Sequence, residues 1–407
     1  MEYLGTIELI YIISFLDLLA VGAIFPVFTQ HLRDLGASHT TIGIFASAYS
    51  AIQVVSGPLI GSWSDIRDRK TVLKATVLSC SICYTCLALS DSLTVIFVVR
   101  FLLAIVKHTQ TICKAIITDL IPLEEQGEFF AKSVSIGTCG FIIGPLIGGN
   151  LAELQNGFSY VCAFTAGLFL LNYILACYIS DDLVLDRKLF AADNLSIWQR
   201  IKSELKKTID ELSEIDWSRH WHPFLLKFIL GFSMACYFSN QGLYLRETYN
   251  LSQKHAGYMI SYFSIISIVA GLLLKKIHYV LNFDNIYTKM ILWYGVLTLS
   301  FILLYFAQNF NTFVGLLIPL SMSSTAMRVV TMELMFQNTE SFHKGSLSGA
   351  SNSIMSIARF VTPLFTGVAS DIFGEKFVML LAAIPASIGL IVSWILLIRH
   401  RQRIKEE

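Results

Sequence analysis

Ionisable side chains interrupt several long apolar stretches of this 407-residue chain. A charged group at bilayer depth costs roughly 2.5–3.5 kcal/mol on insertion scales, so each one should face a water-filled cavity or a partner. A buried carboxylate beside a cation can exchange that partner for a proton, and an unpaired cation can bind an anionic group. These positions therefore predict a charged binding cavity. They are Asp17, Arg100, Lys107, His108, Lys114, Lys227, Arg328, Glu333 and Arg359.

The composition of the chain excludes an ordinary soluble protein. Hydrophobic residues make up 55% of it and charged residues 14%, with a mean hydropathy of +0.63, whereas soluble domains carry about 25% charged residues. Runs of about 20 apolar residues recur, which suits transmembrane helices and is too long for barrel strands. The sequence thus predicts an all-α membrane protein. The net charge of +1 gives no reason to expect a nucleic-acid partner.

The apolar runs predict twelve transmembrane helices in two sets of six. A polar stretch separates the sets, which is the layout of two six-helix bundles joined by a linker. We expect an N-terminal bundle at 1–180, a cytosolic linker at 181–222, a C-terminal bundle at 223–398 and a basic tail at 399–407. The predicted spans are 7–29, 41–63, 71–90, 93–117, 132–152, 158–179, 223–245, 255–274, 286–306, 312–334, 346–367 and 377–398.

The linker and the loops indicate how the chain is placed in the membrane. Apolar residues recur at three- and four-residue steps from Ile197 to Leu212, which predicts an amphipathic helix on the cytosolic face or the headgroups. Lys and Arg concentrate in the loops on the side of the termini, so we expect the termini and the linker to face the cytosol. A monomer surrounded by membrane lipids is expected.

The depth of each charge in the membrane restricts its partners. Asp17 lies about ten residues into the first span and Lys107 about ten residues from the cytosolic end of the fourth, so both are roughly 15 Å deep. Depth favours Lys107 or His108 as the partner of Asp17, because Arg100 lies about 10 Å nearer the outside. The pair would be either a proton site or a permanent ion pair between two helices.

Spacing along single helices gives two further expectations. Arg100, Lys107 and Lys114 recur at steps of seven residues, so they should share one stripe of a continuous helix. Lys114 is near the cytosolic end and could instead snorkel to the headgroups. Glu333 could pair with Arg328 only if their helix bends, because a five-residue step separates the two by about 140°.

A polar decapeptide, GSWSDIRDRK at 61–70, separates the second and third spans and must form a tight aqueous turn. It resembles motif A of the major facilitator superfamily, although Ile66 replaces the usual Arg and Asp68 the usual Gly. Asp tolerates the left-handed turn conformation that Gly adopts. The resemblance implies that Asp65 holds a cytosolic gate shut. The matching residues are Gly61, Asp65, Arg69 and Lys70.

Residues 137–149, GTCGFIIGPLIGG, resemble motif C of the drug:proton antiporter branch. Its glycines allow close helix packing, and its Gly-Pro step makes a bend. Pro363 and Gly367 echo this motif in the second half. The resemblance implies a hinge made of Gly137, Gly140, Gly144, Pro145, Gly148 and Gly149.

Other stretches extend the resemblance over most of the chain. Residues 16–36 look like the first span of the tetracycline-efflux type, and 100–119 look like motif B, which implies Arg100 as the partner of Asp17. Within the superfamily, the stretches 14–26, 35–38, 61–65 and 105–109 look like the orphan branch called major facilitator superfamily domain-containing protein 9. The resemblance implies the major facilitator fold, in which spans 1, 4, 7 and 10 line a central cavity. All the candidate charges except Arg359 lie on these four spans.

The sequence therefore predicts a secondary active transporter that moves a small organic solute by alternating access, with protons as the expected coupling ion. Cationic candidates outnumber acidic ones, which favours an anionic or zwitterionic solute, while 29 Phe and 16 Tyr also suit a lipophilic one. The alternative is a membrane receptor, sensor or scaffold that keeps the fold without transport. No enzyme, cofactor or metal site is expected, because the sequence contains no phosphate-binding loop and no zinc-spaced His pair. Cys80, Cys83 and Cys86 repeat every three residues, which suits a helix–helix contact better than a metal or redox cluster.

Overall fold

The structure, a computed structural model, describes residues 2–122, 124–180, 217–281, 285–337 and 344–406. Secondary structure within these residues is entirely helical. The amphipathic helix predicted between Ile197 and Leu212 falls outside the described residues, as does most of the predicted linker. The predicted all-α class is confirmed.

The described residues form thirteen helices, numbered here in chain order. In the first half they are α1 (Glu2–Asp34), α2 (His39–Ile66), α3 (Arg69–Ala88), α4 (Leu93–Val106), α5 (Thr109–Leu120), α6 (Gln126–Ala152) and α7 (Gly157–Cys177). In the second half they are α8 (Trp217–Tyr249), α9 (Gln253–Val280), α10 (Ile286–Phe306), α11 (Phe310–Phe336), α12 (Lys344–Phe373) and α13 (Phe377–Glu406).

Eleven segments in the described part of the chain are long and apolar enough to cross a membrane. Helices α4 and α5 together form one of them, Leu93–Leu120. The remaining predicted span, 223–245, falls within α8, whose 33 residues would extend about 50 Å at 1.5 Å per residue. Helix α8 is therefore long enough to cross the membrane, although it is not among the eleven that also meet the apolarity requirement.

The chain forms two compact units with the same internal arrangement of helices. In the first unit, α1 packs on α6 and α3 packs on α7. In the second unit, α8 packs on α12 and α10 packs on α13. Each pair joins helices at equivalent places in the two halves of the sequence, so the two units are pseudo-symmetric.

Both units also share one close backbone contact. In the first unit, a methyl group added at Gly257 would overlap the carbonyl oxygen of Pro145. In the second unit, a methyl group added at Gly43 would overlap the carbonyl oxygen of Pro363. Pro363, which resembles the motif C proline, therefore makes the same kind of packing contact as Pro145. In each unit the glycine opposite the proline lets the two helix backbones meet.

Candidate functional site

The best-defined polar site of the first unit is an ion pair between α1 and the α4–α5 segment. Asp17 is completely buried, and its Oδ1 lies 3.2 Å from Lys107 Nζ. Gln110 donates from Nε2 to Asp17 Oδ2 at 3.0 Å and to the Ser14 carbonyl at 3.1 Å. Both carboxylate oxygens therefore have a partner, which a buried carboxylate requires. The Lys107 ammonium also lies 5.5 Å from the centre of the Phe169 ring.

The fourth span is not the continuous helix that the sequence predicted. Helix α4 ends at Val106 and α5 begins at Thr109, so Lys107 and His108 form a break. In a continuous helix the His108 N–H would donate to the Ala104 carbonyl. It donates instead to the Val106 carbonyl at 2.9 Å, and Ser56 Oγ of α2 donates to Ala104 at 2.9 Å. A side chain of another helix thus satisfies the carbonyl that the break releases.

The same serine also contacts His108. Its Oγ lies 2.7 Å from His108 Nε2, so the hydroxyl bridges the imidazole and the Ala104 carbonyl. His108 therefore belongs to a hydrogen-bond chain with α2, and Lys107, not His108, contacts Asp17.

Arg100 and Lys114 do not join this ion pair. The Arg100 guanidinium lies 4.1 Å from the centre of the Phe28 ring and 4.4 Å from that of Tyr49, a cation–π arrangement. Lys114 is exposed on α5. The break at 107–108 interrupts the continuous helix on which Arg100, Lys107 and Lys114 were expected, and their common face stays a prediction.

In the second unit, Arg328 and Glu333 have separate partners. Arg328 Nη2 donates to Ser267 Oγ at 2.9 Å and to Thr325 Oγ1 at 3.1 Å. Glu333 Oε1 lies 3.2 Å from Lys289 Nζ. The two do not pair with each other. This agrees with their five-residue spacing, which places them about 140° apart on a straight helix. Among the described residues, Arg328 has hydroxyl partners and no carboxylate partner.

The two remaining cations of the predicted set have uncharged partners. Lys227 Nζ lies 3.1 Å from the sulfur of Met332 on α11. Arg359 donates from Nη2 to Ser356 Oγ at 3.2 Å, within its own helix. Neither cation contacts Arg328 or Glu333 in the described part of the second unit.

The motif A residues form a polar network at the junction of α2 and α3. Arg69 is buried and pairs with Asp65 Oδ1 at 2.5 Å and with Asp119 Oδ2 at 3.0 Å, and it also bonds Ser64. Lys70 is buried beside it. Asp119 lies in α5, so this network joins the motif to the same broken span that carries Lys107.

Asp68 has a different role from the one expected. Its φ of −71° and ψ of 133° are extended, not left-handed. Its Oδ2 accepts from the Thr71 backbone N–H at 2.9 Å, which makes it the N-cap of α3. The acid at the usual glycine position therefore stabilises a helix start and does not supply an unusual backbone conformation.

The motif C glycines form a tightly packed ladder between α6 and α1. Added methyl groups on three of them would overlap carbonyl oxygens of α1: Gly140 on Phe15, Gly144 on Leu19 and Gly148 on Ala23. Gly137 faces the Leu18 side chain, Pro145 lies against Gly22, and Gly149 lies against the backbone of Lys254. Close packing along α1 is therefore the observed role of this motif, and its role as a hinge stays a prediction.

Sequence reasoning did not assign a role to Gln110 or Ser56. Both are polar residues inside predicted spans, and that position is the signal that could have identified them. Gln110 completes the shell of Asp17, and Ser56 supports the helix break.

Two repeated units of long apolar helices define a polytopic membrane protein. The chain belongs to the Major Facilitator Superfamily, whose family description matches residues 10–363 and, in a second match, 224–406. It is accordingly a secondary transporter that works by alternating access, and not an enzyme.

Relatives and solved structures agree with this membership. The chain is 24% identical to the quinolone resistance protein NorA of Staphylococcus aureus strain COL, over 98% of both chains. It is 27% identical to the class H tetracycline resistance protein of Pasteurella multocida over 39% of this chain and 40% of that protein.

Among solved structures, a bacterial homologue of the human lysosomal transporter Spinster matches with a TM-score of 0.77 and 13% identity, over 96% of this chain and 95% of that one. The human organic anion transporter MFSD10 matches with a TM-score of 0.63 and 16% identity, over 96% and 99%. Both likenesses concern the fold alone.

Proposed function

We propose that this transporter moves a small organic anion or zwitterion in exchange for protons, with Asp17 as the proton-binding group and Arg328 as the anion-binding group. The observation that carries the proposal is the buried Asp17–Lys107 pair at the break of the fourth span. The drug resistance proteins among its relatives support a small-molecule substrate. The distribution of Lys and Arg supports cytosolic termini.

Proton coupling follows from competition for Asp17. In the described state, the Lys107 ammonium neutralises the carboxylate. If Lys107 moves away, Asp17 becomes an isolated buried charge, and binding a proton is the lowest-cost way to neutralise it. Protonation in turn releases Lys107. Movement at 107–108 does not break an intact helical hydrogen-bond ladder, because the ladder is already interrupted there.

The substrate class follows from the cations that remain unneutralised. Asp17 neutralises Lys107, Arg100 stacks on the rings of Phe28 and Tyr49, and Lys114 is exposed in the middle of α5. Arg328 is held by the hydroxyls of Ser267 and Thr325, which orient its guanidinium without cancelling its charge. A guanidinium that is oriented but not neutralised can bind a planar carboxylate, to which it donates two parallel hydrogen bonds.

Transport by proteoliposomes tests the substrate class. Purified protein is reconstituted, a pH gradient is imposed, and uptake is measured over a panel of quinolones, tetracyclines, aromatic carboxylates and organic cations. We expect Arg328→Gln to slow uptake of the carboxylates by about tenfold to a hundredfold, since hydrogen bonds to charged groups contribute about 1.5–3 kcal/mol.

Arg359→Gln is the matched control, because within the described residues that guanidinium donates to Ser356 of its own helix. The control should transport like the parent. Equal carboxylate uptake by both variants would contradict the assignment of Arg328 as the anion-binding group. Saturable binding of a panel member without flux would favour the receptor alternative.

A further inference from the structure

A second buried polar cluster lies in the second unit, centred on His39 at the start of α2. His39 is 5% exposed, and its Nδ1 lies 2.6 Å from Glu375 Oε1. Its other ring nitrogen, Nε2, lies 3.3 Å from Glu247 Oε1. Glu375 precedes α13 and Glu247 lies in α8, so one imidazole contacts carboxylates from two different parts of the unit.

Glu375 is the more deeply buried of the two glutamates. Its side chain is 1% exposed. Asn240 donates from Nδ2 to both of its oxygens, at 2.9 and 3.2 Å, and to Ser370 Oγ at 3.2 Å. An amide satisfies hydrogen bonds but does not cancel the charge. A carboxylate buried to this degree is neutralised by a proton or by a neighbouring cation, and His39 is placed beside Glu375 to supply the cation.

We propose that His39 is a second proton-binding group of this transporter, which in its imidazolium form links Glu247 to Glu375. A neutral imidazole carries a proton on one nitrogen only, so it can donate to one carboxylate and would face the other with a lone pair. The imidazolium donates from both nitrogens. A carboxylate beside each nitrogen is therefore the environment of the protonated form.

A divalent cation is the competing ligand for these three side chains, which bring ligand atoms within 4.8 Å of one another. One metal ion can bind only one nitrogen of an imidazole ring. Here the two carboxylates lie beside different nitrogens, so one glutamate would have to move around the ring to share a metal. In the structure each ring nitrogen of His39 has its own carboxylate neighbour, which is the charge environment of an imidazolium.

The charged groups that face His39 come from each element packed against it. They are Glu247 of α8, Glu375 before α13 and Asp371 of α12. Asp371 accepts from the backbone N–H groups of His39 and Thr40 at 3.0 and 2.8 Å, which caps α2. The positive end of the α2 dipole disfavours an imidazolium there, but three carboxylates outweigh one helix terminus.

Protonation of His39 thus stabilises the position of the first turn of α2 in the second unit, through attraction to Glu247 and Glu375. Residues 38–47 belong to that unit together with Glu247, Asp371 and Glu375, so the cluster lies within one unit. Acidification would strengthen this attachment, and loss of the proton would weaken it. The inference does not depend on Asp17 or on the substrate class.

Thermal unfolding of the purified full chain tests the inference without a substrate. Melting temperatures of the parent and His39→Gln are measured from about pH 5.5 to pH 8.5, the range in which His titrates and carboxylates stay ionised, with EDTA present. We expect the parent to melt higher than the variant at the acidic end. The difference should shrink as pH rises, because the stabilising imidazolium is lost. His400→Gln, at the end of α13, should follow the parent at every pH.

A second variant and a zinc titration complete the test. If His39→Gln does not fold, Glu247→Gln replaces it, because Glu247 is one-third exposed and more tolerant of change. That variant should show a weaker pH dependence than the parent. A difference that is independent of pH or grows with pH would overturn the proposal. So would stabilisation by added Zn²⁺ that His39→Gln abolishes, since that result assigns the cluster to a metal.

Discussion

Lys107→Met should melt far below the parent protein at neutral pH, because it leaves Asp17 as a fully buried carboxylate without a cation. Removing one partner of a buried ion pair typically costs about 3–5 kcal/mol. Gln110 still donates to Asp17 Oδ2, but an amide does not neutralise charge. Acidification should restore part of the loss, since a protonated Asp17 no longer needs Lys107. Thermal unfolding across a pH series measures both effects.

Two companion variants separate the ion pair from general damage. The double variant Asp17→Asn/Lys107→Met removes both charges and should recover most of the lost stability, so the two substitutions should be strongly non-additive. Lys114→Met, an exposed lysine of α5, should change stability by no more than about 0.5 kcal/mol. Additive losses in the double variant would contradict the pairing of Asp17 with Lys107.

The second large effect is expected for Gly148→Ala. The added methyl group would overlap the carbonyl oxygen of Ala23, together with the neighbouring backbone atoms of that residue. A side chain could rotate away, but a backbone carbonyl of α1 can move only if the two helices separate. Overpacking costs typically 1–3 kcal/mol where the structure can adjust, so we expect a loss of about 3 kcal/mol or more, measured as melting temperature and as yield of folded protein.

Gly167→Ala is the matched control for this substitution. Gly167 lies within α7, and a methyl group added there would have no atom within 4 Å. Because alanine is the better helix former, the control should be unchanged or more stable by about 0.5–1 kcal/mol. The two variants make the same chemical change with opposite expected signs. A similar loss in both would show that helix packing at motif C is not what the glycine provides.

The transmembrane helices, the buried ion pair and the glycine packing could be predicted from the sequence, because a bilayer allows few backbone structures and few places for charge. Apolar runs must be helices, since no other open structure satisfies the backbone in hydrocarbon. Charged groups at equal depth are the expected partners of one another. Depth favours Lys107 or His108 as the partner of Asp17, and the structure shows Lys107 at 3.2 Å. The glycine spacing of motif C likewise predicted close packing, which the ladder between α6 and α1 shows.

The features that sequence reasoning missed all depend on partners remote in the chain. Nothing local marks a break at Lys107 and His108, because the stretch contains neither proline nor glycine. The hydrogen bond that stabilises the break comes from Ser56 of α2. The environment of His39 is likewise assembled from α8 and the α12–α13 turn. Local patterns predict helices, but they do not identify which distant side chain satisfies a released carbonyl or a buried charge.

The central claim is that Asp17 exchanges Lys107 for a proton during transport. The most direct measurement compares two modes of transport by Asp17→Asn in proteoliposomes: accumulation driven by a pH gradient, and exchange of labelled for unlabelled solute without a gradient. We predict that the variant keeps exchange and loses accumulation, because the binding site survives while the proton-binding group is gone. Accumulation at the parental level in Asp17→Asn would contradict the account.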